Sequence, residues 1–441
     1  MKSVNFVNRW KNVSNTILRF PLTVIFLLAA TICNALVITG SNSEIYIRIA
    51  ISLGMGALLF ADCQLIYERF FNKASYRYIF MASSIILTFL HYLTIKNNIW
   101  NVDLAVKTAV VYFVLVILLM WIPSLKSRIN FNQSFLLVFK SFFMALFLTG
   151  ILFIGVAVIL GATHLLLFDV DADAYLHAAN IIFVFIAPLC FLLYIPLFPV
   201  FEPEAIKSSK DNALEDNNSQ TEAYYDSQEK VNYIDGNNLA KLYAITTSGK
   251  FLETLVSYVI IPVAAVFTLI LLIYILINIT GSFWTDNLLE SMLVSYSITV
   301  ILVYLLASNI ENAWTKIFRL IFPKVLVVVV LFQTISSFMR ISKYGITSGR
   351  YYVILFGLFA TIAGIIFCIV PKEKNGIIAP ILIAFSLISI LPGIDAFTIS
   401  KNNQISKLKT ALERNNMLSD NEIIPKKDIP DEDKEIIISS F

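Results

Sequence analysis

The sequence predicts an all-α fold, a polytopic transmembrane helix bundle of ten or eleven spans with a cytoplasmic N-terminus. Eleven apolar runs, most of about twenty residues, follow one another with short polar joints between them. Hydrophobic residues make up 58% of the 441 residues and charged residues 14%, whereas soluble domains contain about 25% charged residues. The mean hydropathy of +0.77 excludes an ordinary water-soluble core.

Each apolar run is long enough for one spanning helix. Because a helix rises 1.5 Å per residue, about twenty apolar residues cross the roughly 30 Å hydrocarbon core and satisfy their own backbone hydrogen bonds there. The runs predict helices over 20–40, 45–66, 77–95, 104–123, 135–160, 176–199, 255–279, 288–307, 321–339, 351–370 and 376–396. The lipid bilayer is therefore the expected partner, and the composition does not indicate a nucleic acid.

A polar stretch divides the runs into six and five. Residues 200–250 contain few aliphatic side chains, so they cannot bury enough surface to offset the entropy of ordering. We expect a disordered cytoplasmic loop there. The predicted organisation is a basic N-terminus over 1–19, a six-span half over 20–199, this loop, a four- or five-span half over 251–396, and an amphipathic helix with an acidic tail over 397–441.

The distribution of basic residues predicts the orientation, because cytoplasmic joints are enriched in Lys and Arg. With the N-terminus inside, the cytoplasmic segments up to Lys324 contain 18 basic residues. The outer joints contain three, which are Arg48, Lys96 and Lys107. The N-terminus is therefore predicted to be cytoplasmic.

The run over 321–339 leaves the number of spans open between ten and eleven. As a spanning helix, it puts the basic residues within 340–350 and those of the tail on the outer side, against the charge rule. As a re-entrant or surface helix, it keeps them inside and leaves only Lys372 and Lys374 outside. We prefer eleven spans, because a nearly uninterrupted apolar run has little other use than to span.

The most distinctive polar string runs from Arg340 to Tyr351, between two apolar runs. Gly345 permits a tight turn, and Thr347 or Ser348 can cap the next helix. A planar guanidinium can also hold an anionic group such as a lipid phosphate. Five residues are therefore candidate contacts for an anion or a lipid headgroup: Arg340, Lys343, Tyr344, Thr347 and Arg350. The simpler alternative is a helix-turn-helix joint with interfacial Tyr and Arg anchors.

Ionisable residues in or near the runs are the other candidates, since a charge in hydrocarbon is costly without a partner. Arg48, Lys107 and Lys140 lie near predicted membrane edges, where long basic side chains reach the interface. Asp62 is too short to do so, and Lys140 is within reach of it across a cytoplasmic-side interface. The sequence therefore predicts an intramembrane polar pair of Asp62 and Lys140. Asp395 follows a helix-breaking Pro-Gly step and marks the exit of the last span.

No catalytic, metal-binding or cofactor-binding motif is evident. The three histidines lack partners at helical spacing, the four cysteines lie in apolar runs without a CxxC pattern, and no G-x-S-x-G sequence occurs. The alternating acids Asp169, Asp171 and Asp173 are typical of a solvated loop. We expect no catalytic residue, no metal ion and no cofactor.

The residues after the last run predict a helix with two different faces. Ile405, Leu408, Ala411 and Leu412 recur at helical spacing, opposite a face rich in Lys and Arg. This pattern predicts an amphipathic helix that lies on the bilayer or docks on the bundle. The final stretch from Asp420 is acidic and offers little apolar surface for a core.

Four stretches together resemble a family of bacterial integral membrane proteins called domain of unknown function 4153. These stretches are Arg19–Pro21, Ser257–Pro262, the string Arg340–Tyr351 and the tail from Ser400 to Ser440. The resemblance implies a multi-span bundle in a bacterial cytoplasmic membrane, with no assigned biochemical activity and no catalytic residue to carry over. It also implies more chain after the acidic stretch than this sequence contains.

These observations predict a structural, regulatory or signalling-associated membrane component of unknown biochemical activity. One alternative is a transporter or permease for a small solute, because the division into six and five spans resembles the two halves of many carriers. Transport requires a polar cavity near the middle of the membrane. Another alternative is a membrane-embedded enzyme acting on a lipid or lipid-linked substrate, which requires clustered acids or histidines at one membrane face. Membrane-protein partners and a homo-oligomer both stay open.

Overall fold

The computed structural model describes residues 13–40, 43–71, 73–96, 101–127, 129–198, 247, 249–278, 287–419, 422–426 and 429–440. Within these residues the fold is all-α, as predicted, apart from one short hairpin. In the part of the chain that the structure describes, each of the eleven apolar runs forms a helix, and nine of these helices are long and apolar enough to cross a membrane. The chain is thus a multi-pass membrane protein. The predicted disordered loop lies outside the described residues, except for its last few positions.

Among the described residues, six main helices precede the loop: α1 (Pro21–Ile38), α2 (Ser43–Phe70), α3 (Ala74–Ile95), α4 (Val102–Trp121), α5 (Phe131–Leu166) and α6 (Ala172–Leu193). The chain forms two compact units, the first of which comprises Met1–Ala105 and Leu115–Thr247. The second comprises Val106–Val114 and Ser248–Phe441, so that the middle of α4 belongs to the second unit.

The first unit has two apolar clusters. Leu22 and Phe26 of α1 pack against Ala57 and Phe60 of α2 in one of them. The other gathers apolar side chains from α2, α4, α5 and the end of α6 around Phe20, which is fully buried. Large apolar side chains on α3 and α5 are exposed instead, as expected of surfaces that face lipid.

Seven main helices follow the loop in the described ranges: α7 (Lys250–Ile277), α8 (Asn287–Ala307), α9 (Ala313–Tyr344), α10 (Ser348–Ile369), α11 (Ile378–Ile388), α12 (Ala396–Arg414) and α13 (Asp431–Ser440). The run over 321–339 lies inside α9, a single continuous helix of 32 residues. At 1.5 Å per residue, α9 is about 48 Å long, which exceeds the thickness of the hydrocarbon core.

Helices α9 and α10 form an antiparallel pair that packs closely along its length. A Cβ atom on Gly357 would lie 2.6 Å from Oγ1 of Thr334, and one on Gly364 would lie 2.7 Å from Cγ2 of Val327. Both distances are too short for a side chain, so glycine allows the two backbones to approach each other. The turn at 345–347 joins the two helices at one end of this pair.

Polar capping residues place several helix starts ahead of the apolar runs. Asn130 caps α5 at Phe131 instead of 135, and Asn312 caps α9 at Ala313 instead of 321. Each of these side chains accepts a hydrogen bond from a backbone N–H in the first turn of its helix. Hydropathy alone does not register these first turns, because they lie outside the apolar run.

The predicted helix over 376–396 is wrong at its C-terminal end. Helix α11 ends at Ile388, and the following residues form turns. Pro392 disfavours helix for the residue before it, and Gly393 has a φ of +89°. A new helix, α12, then begins at Ala396.

The acidic C-terminal stretch makes contacts that the composition did not reveal. Leu418–Ser419 and Glu422–Ile423 form a two-stranded antiparallel hairpin, and α13 packs on α12. Asp433 of α13 is 2% exposed and accepts hydrogen bonds from Arg414 at 3.2 Å and Asn415 at 2.8 Å. The segment after the last membrane helix is therefore folded where it is described.

Candidate functional site

The string that the sequence singled out forms the turn between α9 and α10. Gly345 has a φ of +83° and a ψ of 176°, a conformation that glycine alone adopts without strain. The side-chain oxygen of Thr347 accepts a hydrogen bond from the backbone N–H of Arg350 at 3.4 Å and so caps α10. The predicted turn and the predicted cap are both confirmed.

Polar side chains of α12 bind the main chain of this turn. The Oδ1 atom of Asn403 accepts a hydrogen bond from the N–H of Ile346 at 2.8 Å, and Gln404 donates to the carbonyl oxygen of Ile346 at 3.1 Å. Lys407 donates to the carbonyl oxygen of Ser342 at 2.9 Å. One helix therefore holds both polar groups of a single residue in the turn, together with a carbonyl at the end of α9.

These contacts agree with the docked position, one of the two that the sequence left open for the amphipathic helix. It docks on α9 and α10, with Ala411 and Leu412 buried. Ile405, which the pattern assigned to the apolar face, is 53% exposed, because the face that carries Gln404 and Lys407 is turned towards the turn. Of the predicted apolar face, Ala411 and Leu412 are thus buried and Ile405 is exposed.

Two of the candidate anion-binding residues, Thr347 and Arg350, form hydrogen bonds within this turn. Arg350 donates to the carbonyl oxygen of Gly345 at 3.0 Å, and Arg340 is 3% exposed. Burial, followed by the charge of Arg350, lowers the pKa of the Lys407 ammonium. The side chains of Lys343 and Tyr344 lie outside the described part of the chain. Anion binding by these residues stays a prediction.

Asp395 combines a helix cap with an ion pair. Its carboxylate accepts hydrogen bonds from the backbone of Phe397 at 3.2 Å and of Thr398 at 3.1 Å, and from Oγ1 of Thr398 at 2.7 Å. The ammonium of Lys107 lies 3.4 Å from it. Burial raises the pKa of Asp395, but the hydrogen bonds from Thr398 and the charge of Lys107 outweigh burial, so the pKa lies below its ordinary value. Asp395 thus marks the start of α12, whereas the sequence predicted that it marks the exit of the last span, whose helix ends at Ile388.

Glu311 lies among three cations at the other end of the α9–α10 pair. It forms an ion pair with Lys372, and Arg319 and Lys316 approach it at 3.4 Å and 3.9 Å. The hydrogen bond from Lys372, followed by the charge of Arg319, lowers the pKa of Glu311. The joint before α9 and the joint after α10 therefore meet at one place.

In the first unit, Arg19 and Glu68 form a two-fold ion pair. Nε and Nη2 of Arg19 donate to the two carboxylate oxygens of Glu68 at 2.8 Å and 2.7 Å. Arg19 also donates to the carbonyl oxygens of Ile195 at 2.8 Å and Pro196 at 3.2 Å, where α6 has ended. One guanidinium thus ties the start of α1 to α2 and to the residues after α6.

Two further residues extend this ion pair into a polar network. Gln64 donates to Glu68 at 2.9 Å, and Arg77 of α3 donates to Gln64 at 3.2 Å and to the carbonyl oxygen of Leu18 at 2.7 Å. In the sequence, Arg19 stood out only as part of Arg19–Pro21, one of the stretches that resemble the family, and the network was not predicted. The spacing of Gln64 and Glu68 by four residues on one helix was the available signal.

The predicted partners Asp62 and Lys140 are not brought together in the described structure. Lys140 donates to the carbonyl oxygen of Thr247. Asp62 is 1% exposed, and neither of its carboxylate oxygens has a hydrogen-bond partner among the described residues. An acid and a base that the sequence suggested as a pair thus occupy separate environments.

The acids before α6 show the behaviour of a solvated loop. Asp171 caps α6 by accepting a hydrogen bond from the N–H of Asp173 at 3.3 Å, and Asp169 is exposed near His164.

A cavity of about 190 Å³ in the first unit, between α1, α2, α4 and α6, is lined by apolar side chains together with Thr23. It would suit an apolar chain rather than an ionic solute. Among the described residues, no group of three or more His, Cys, Asp or Glu side chains could hold a metal ion.

Comparison with known families confirms the resemblance found in the sequence. The model of the family described as "Domain of unknown function (DUF4153)" matches residues 22–424 of the chain. No curated protein and no solved structure matches it. The matched range includes the α9–α10 turn and the whole of α12, the two elements that Asn403 and Gln404 hold together.

Proposed function

Since this chain belongs to the family described as domain of unknown function (DUF4153), we propose that it is a structural or regulatory component of the bacterial cytoplasmic membrane that holds its C-terminal helices on the α9–α10 turn. The observation that carries the proposal is the binding of the Ile346 backbone by Asn403 and Gln404. These polar side chains form hydrogen bonds within the protein. A membrane bundle that fixes a small folded segment at one face is suited to presenting that segment to a partner.

The number of spans decides on which side of the membrane the turn at 345–347 and α12 lie. We favour eleven spans. The ion pair of Glu311 and Lys372 supports this number, because it requires the joints before α9 and after α10 to lie on the same side. Two helices that both cross the membrane meet this requirement. A ten-span arrangement would put Glu311 inside and Lys372 outside.

Two contacts at the opposite end of the second unit support the same arrangement. The hydroxyl of Tyr351 donates to the carbonyl oxygen of Ile394 at 2.8 Å, and Lys107 pairs with Asp395. The charge rule puts Lys107 in an outer joint. With eleven spans the turn at 345–347, Asp395 and α12 are also on the outer side, whereas with ten spans Asp395 would be cytoplasmic.

Cysteine labelling in intact cells tests this topology. In a variant that lacks the four native cysteines, Ser342→Cys should react with a membrane-impermeant maleimide added from outside. The matched variant Lys374→Cys should react only after the membrane is permeabilised. Labelling of Ser342→Cys only after permeabilisation would overturn the eleven-span arrangement.

The proposed role is tested by releasing α12 from the turn. A strain that carries Asn403→Ala with Gln404→Ala should show the same sensitivity to osmotic and detergent stress as a strain that lacks the whole protein. Asn402→Ala is the matched control, because Asn402 is the adjacent exposed residue of the same type and should leave the strain unchanged. The opposite result is a double variant that is present at normal abundance, with α12 shown to be released, and that still leaves the strain as stress-resistant as the parent. That result would refute a role for the docked helix.

A further inference from the structure

Asp62 lies inside α2, two helical turns from Phe70, the end of this helix that the sequence predicts to be cytoplasmic. Helix α2 continues to Phe70, eight residues beyond Asp62, which corresponds to about 12 Å of helix. The side chain is 1% exposed, and both carboxylate oxygens lack a hydrogen-bond partner among the described residues. An unpartnered acid buried in a membrane helix is a costly feature, and such residues commonly mark ion or proton sites.

The charged groups on the elements packed against α2 are engaged elsewhere. Arg19 and Arg77 belong to the network of Glu68 and Gln64, on the cytoplasmic side of Asp62. The other cationic or titratable side chains near this part of the unit contact different groups: Arg69 the carbonyl oxygen of Pro123, Lys140 that of Thr247, His91 the hydroxyl of Ser52, and Cys63 the side chain of Ser84. None of them forms an ion pair with Asp62 in the described part of the chain.

We infer that Asp62 is an intramembrane proton-binding site, whose carboxyl group carries a proton in the described conformation. The physical reason is that an ionised carboxylate without a partner would cost many times more in an apolar interior than the neutral acid. The neutral acid also needs no countercharge, in agreement with the contacts that the cations named above make with other groups in the described residues. Release of the proton to water then requires α2 to separate from its neighbours or water to enter, so that protonation is coupled to helix packing.

The nearest polar groups suggest the side from which the proton exchanges. Gln64 lies two residues further along α2, and it connects through Glu68 and Arg19 to the cytoplasmic end of the first unit. In the opposite direction along α2, towards its N-terminal end, the helix contributes apolar side chains such as those of Leu53 and Phe60. The proton therefore exchanges with the cytoplasmic side. The proton site concerns the first unit alone and does not depend on the role proposed for α12, whereas the side of exchange rests on the predicted cytoplasmic N-terminus.

Infrared spectroscopy of the full-length protein in lipid bilayers tests the inference. The spectrum at neutral pH should contain the carbonyl stretch of a protonated carboxylic acid, and Asp62→Asn should remove it. Glu68→Gln is the matched control on the same helix, and it should leave the band in place because Glu68 is ion-paired with Arg19. Reversible loss of the band at alkaline pH, before unfolding, is also expected.

Two results would overturn the proposal. If no band depends on Asp62, the residue is ionised and has a partner that the proposal excludes. If the band persists unchanged until the protein unfolds, the acid is protonated but does not exchange its proton. A stability measurement gives an independent check: Asp62→Asn should change the melting temperature far less than Glu68→Gln, because an amide replaces a neutral acid without stranding a charge.

Discussion

The carboxylate of Asp395 lies 3.4 Å from the ammonium of Lys107 and at the same time caps α12. The Asp395 side chain is 2% exposed and that of Lys107 is 27% exposed. Two residues far apart in the sequence thus fix the end of the last apolar run. The contact also sets the point at which the chain leaves the membrane segment and begins the docked helix.

Substitutions at Asp395 should separate the cap from the ion pair. Asp395→Asn keeps a side-chain acceptor for the backbone N–H groups and loses only the charge, whereas Asp395→Ala loses both. We expect Asp395→Ala to be less stable than Asp395→Asn by about 1 kcal/mol, the usual contribution of an N-cap. Reversible unfolding in mixed micelles measures both variants, and equal stabilities would show that the cap contributes nothing.

Gly345→Ala should weaken the docking of α12. A Cβ atom at this position would lie 2.8 Å from Oδ1 of Asn403 and 3.0 Å from Nε2 of Gln404. The backbone conformation alone should cost a non-glycine residue about 1–3 kcal/mol. Proteolysis of native protein should therefore cut within α12 faster in this variant. Gly349→Ala is the control, since nothing lies within 4 Å of its Cβ position and an alanine in a helix is favourable. Equal cleavage of both variants would contradict the prediction.

Arg19 should be sensitive even to a change that keeps its charge. The side chains of Arg19 and Glu68 are only 12% and 16% exposed, so removal of one leaves the other charge poorly solvated. Arg19→Ala should lower the free energy of unfolding by about 3–5 kcal/mol, and Arg19→Lys by less, because lysine cannot form the forked contact. Lys409→Gln breaks an exposed pair with Glu413 and should cost below about 1 kcal/mol. Comparable losses in Arg19→Ala and Lys409→Gln would refute the structural role of Arg19.

Acidification should weaken the contact of the joints around Glu311. The pKa of Glu311 in the folded protein is below its ordinary value of 4.5, so its stabilising effect is present above that value and is lost as the pH falls through the lowered pKa. The effect should be small, because the side chain is 52% exposed. Unfolding measured between about pH 6 and about pH 3 should show a shallower pH dependence in Glu311→Gln than in the parent protein. Asp395 titrates in the same range in both, so only the difference reports on Glu311.

Part of the candidate site could be predicted because it depends on residue types close together in the chain. Gly345 and Thr347 lie within three residues of each other, and a glycine followed by a hydroxyl residue before an apolar run is sufficient to indicate a turn and a cap. The pairing of Asn403 with Ile346 could not be predicted in this way. That prediction would require knowing which face of α12 contacts the turn. The face that does so carries the polar residues Asn403, Gln404 and Lys407, whereas the sequence pattern pointed to the apolar face for docking.

The partners of the ionisable residues were the least predictable feature. Sequence proximity to a membrane edge suggested Asp62 with Lys140, yet in the structure Arg19 pairs with Glu68 and Lys107 pairs with Asp395. A helix that is apolar on all sides carries no signal for the face that packs and the face that meets lipid. Hydropathy consequently gives the depth of a charged residue but not its neighbour.

The sequence by itself determined where the apolar helices lie, the family to which the chain belongs, and the turn at Gly345, because length, hydropathy and glycine chemistry act locally. The docking of α12 through its polar side chains and the isolation of Asp62 among the described residues were decided only by the tertiary structure. The physical reason is that a buried polar group is stabilised or stranded by atoms from other helices. The spacing of residues along one chain does not specify those atoms.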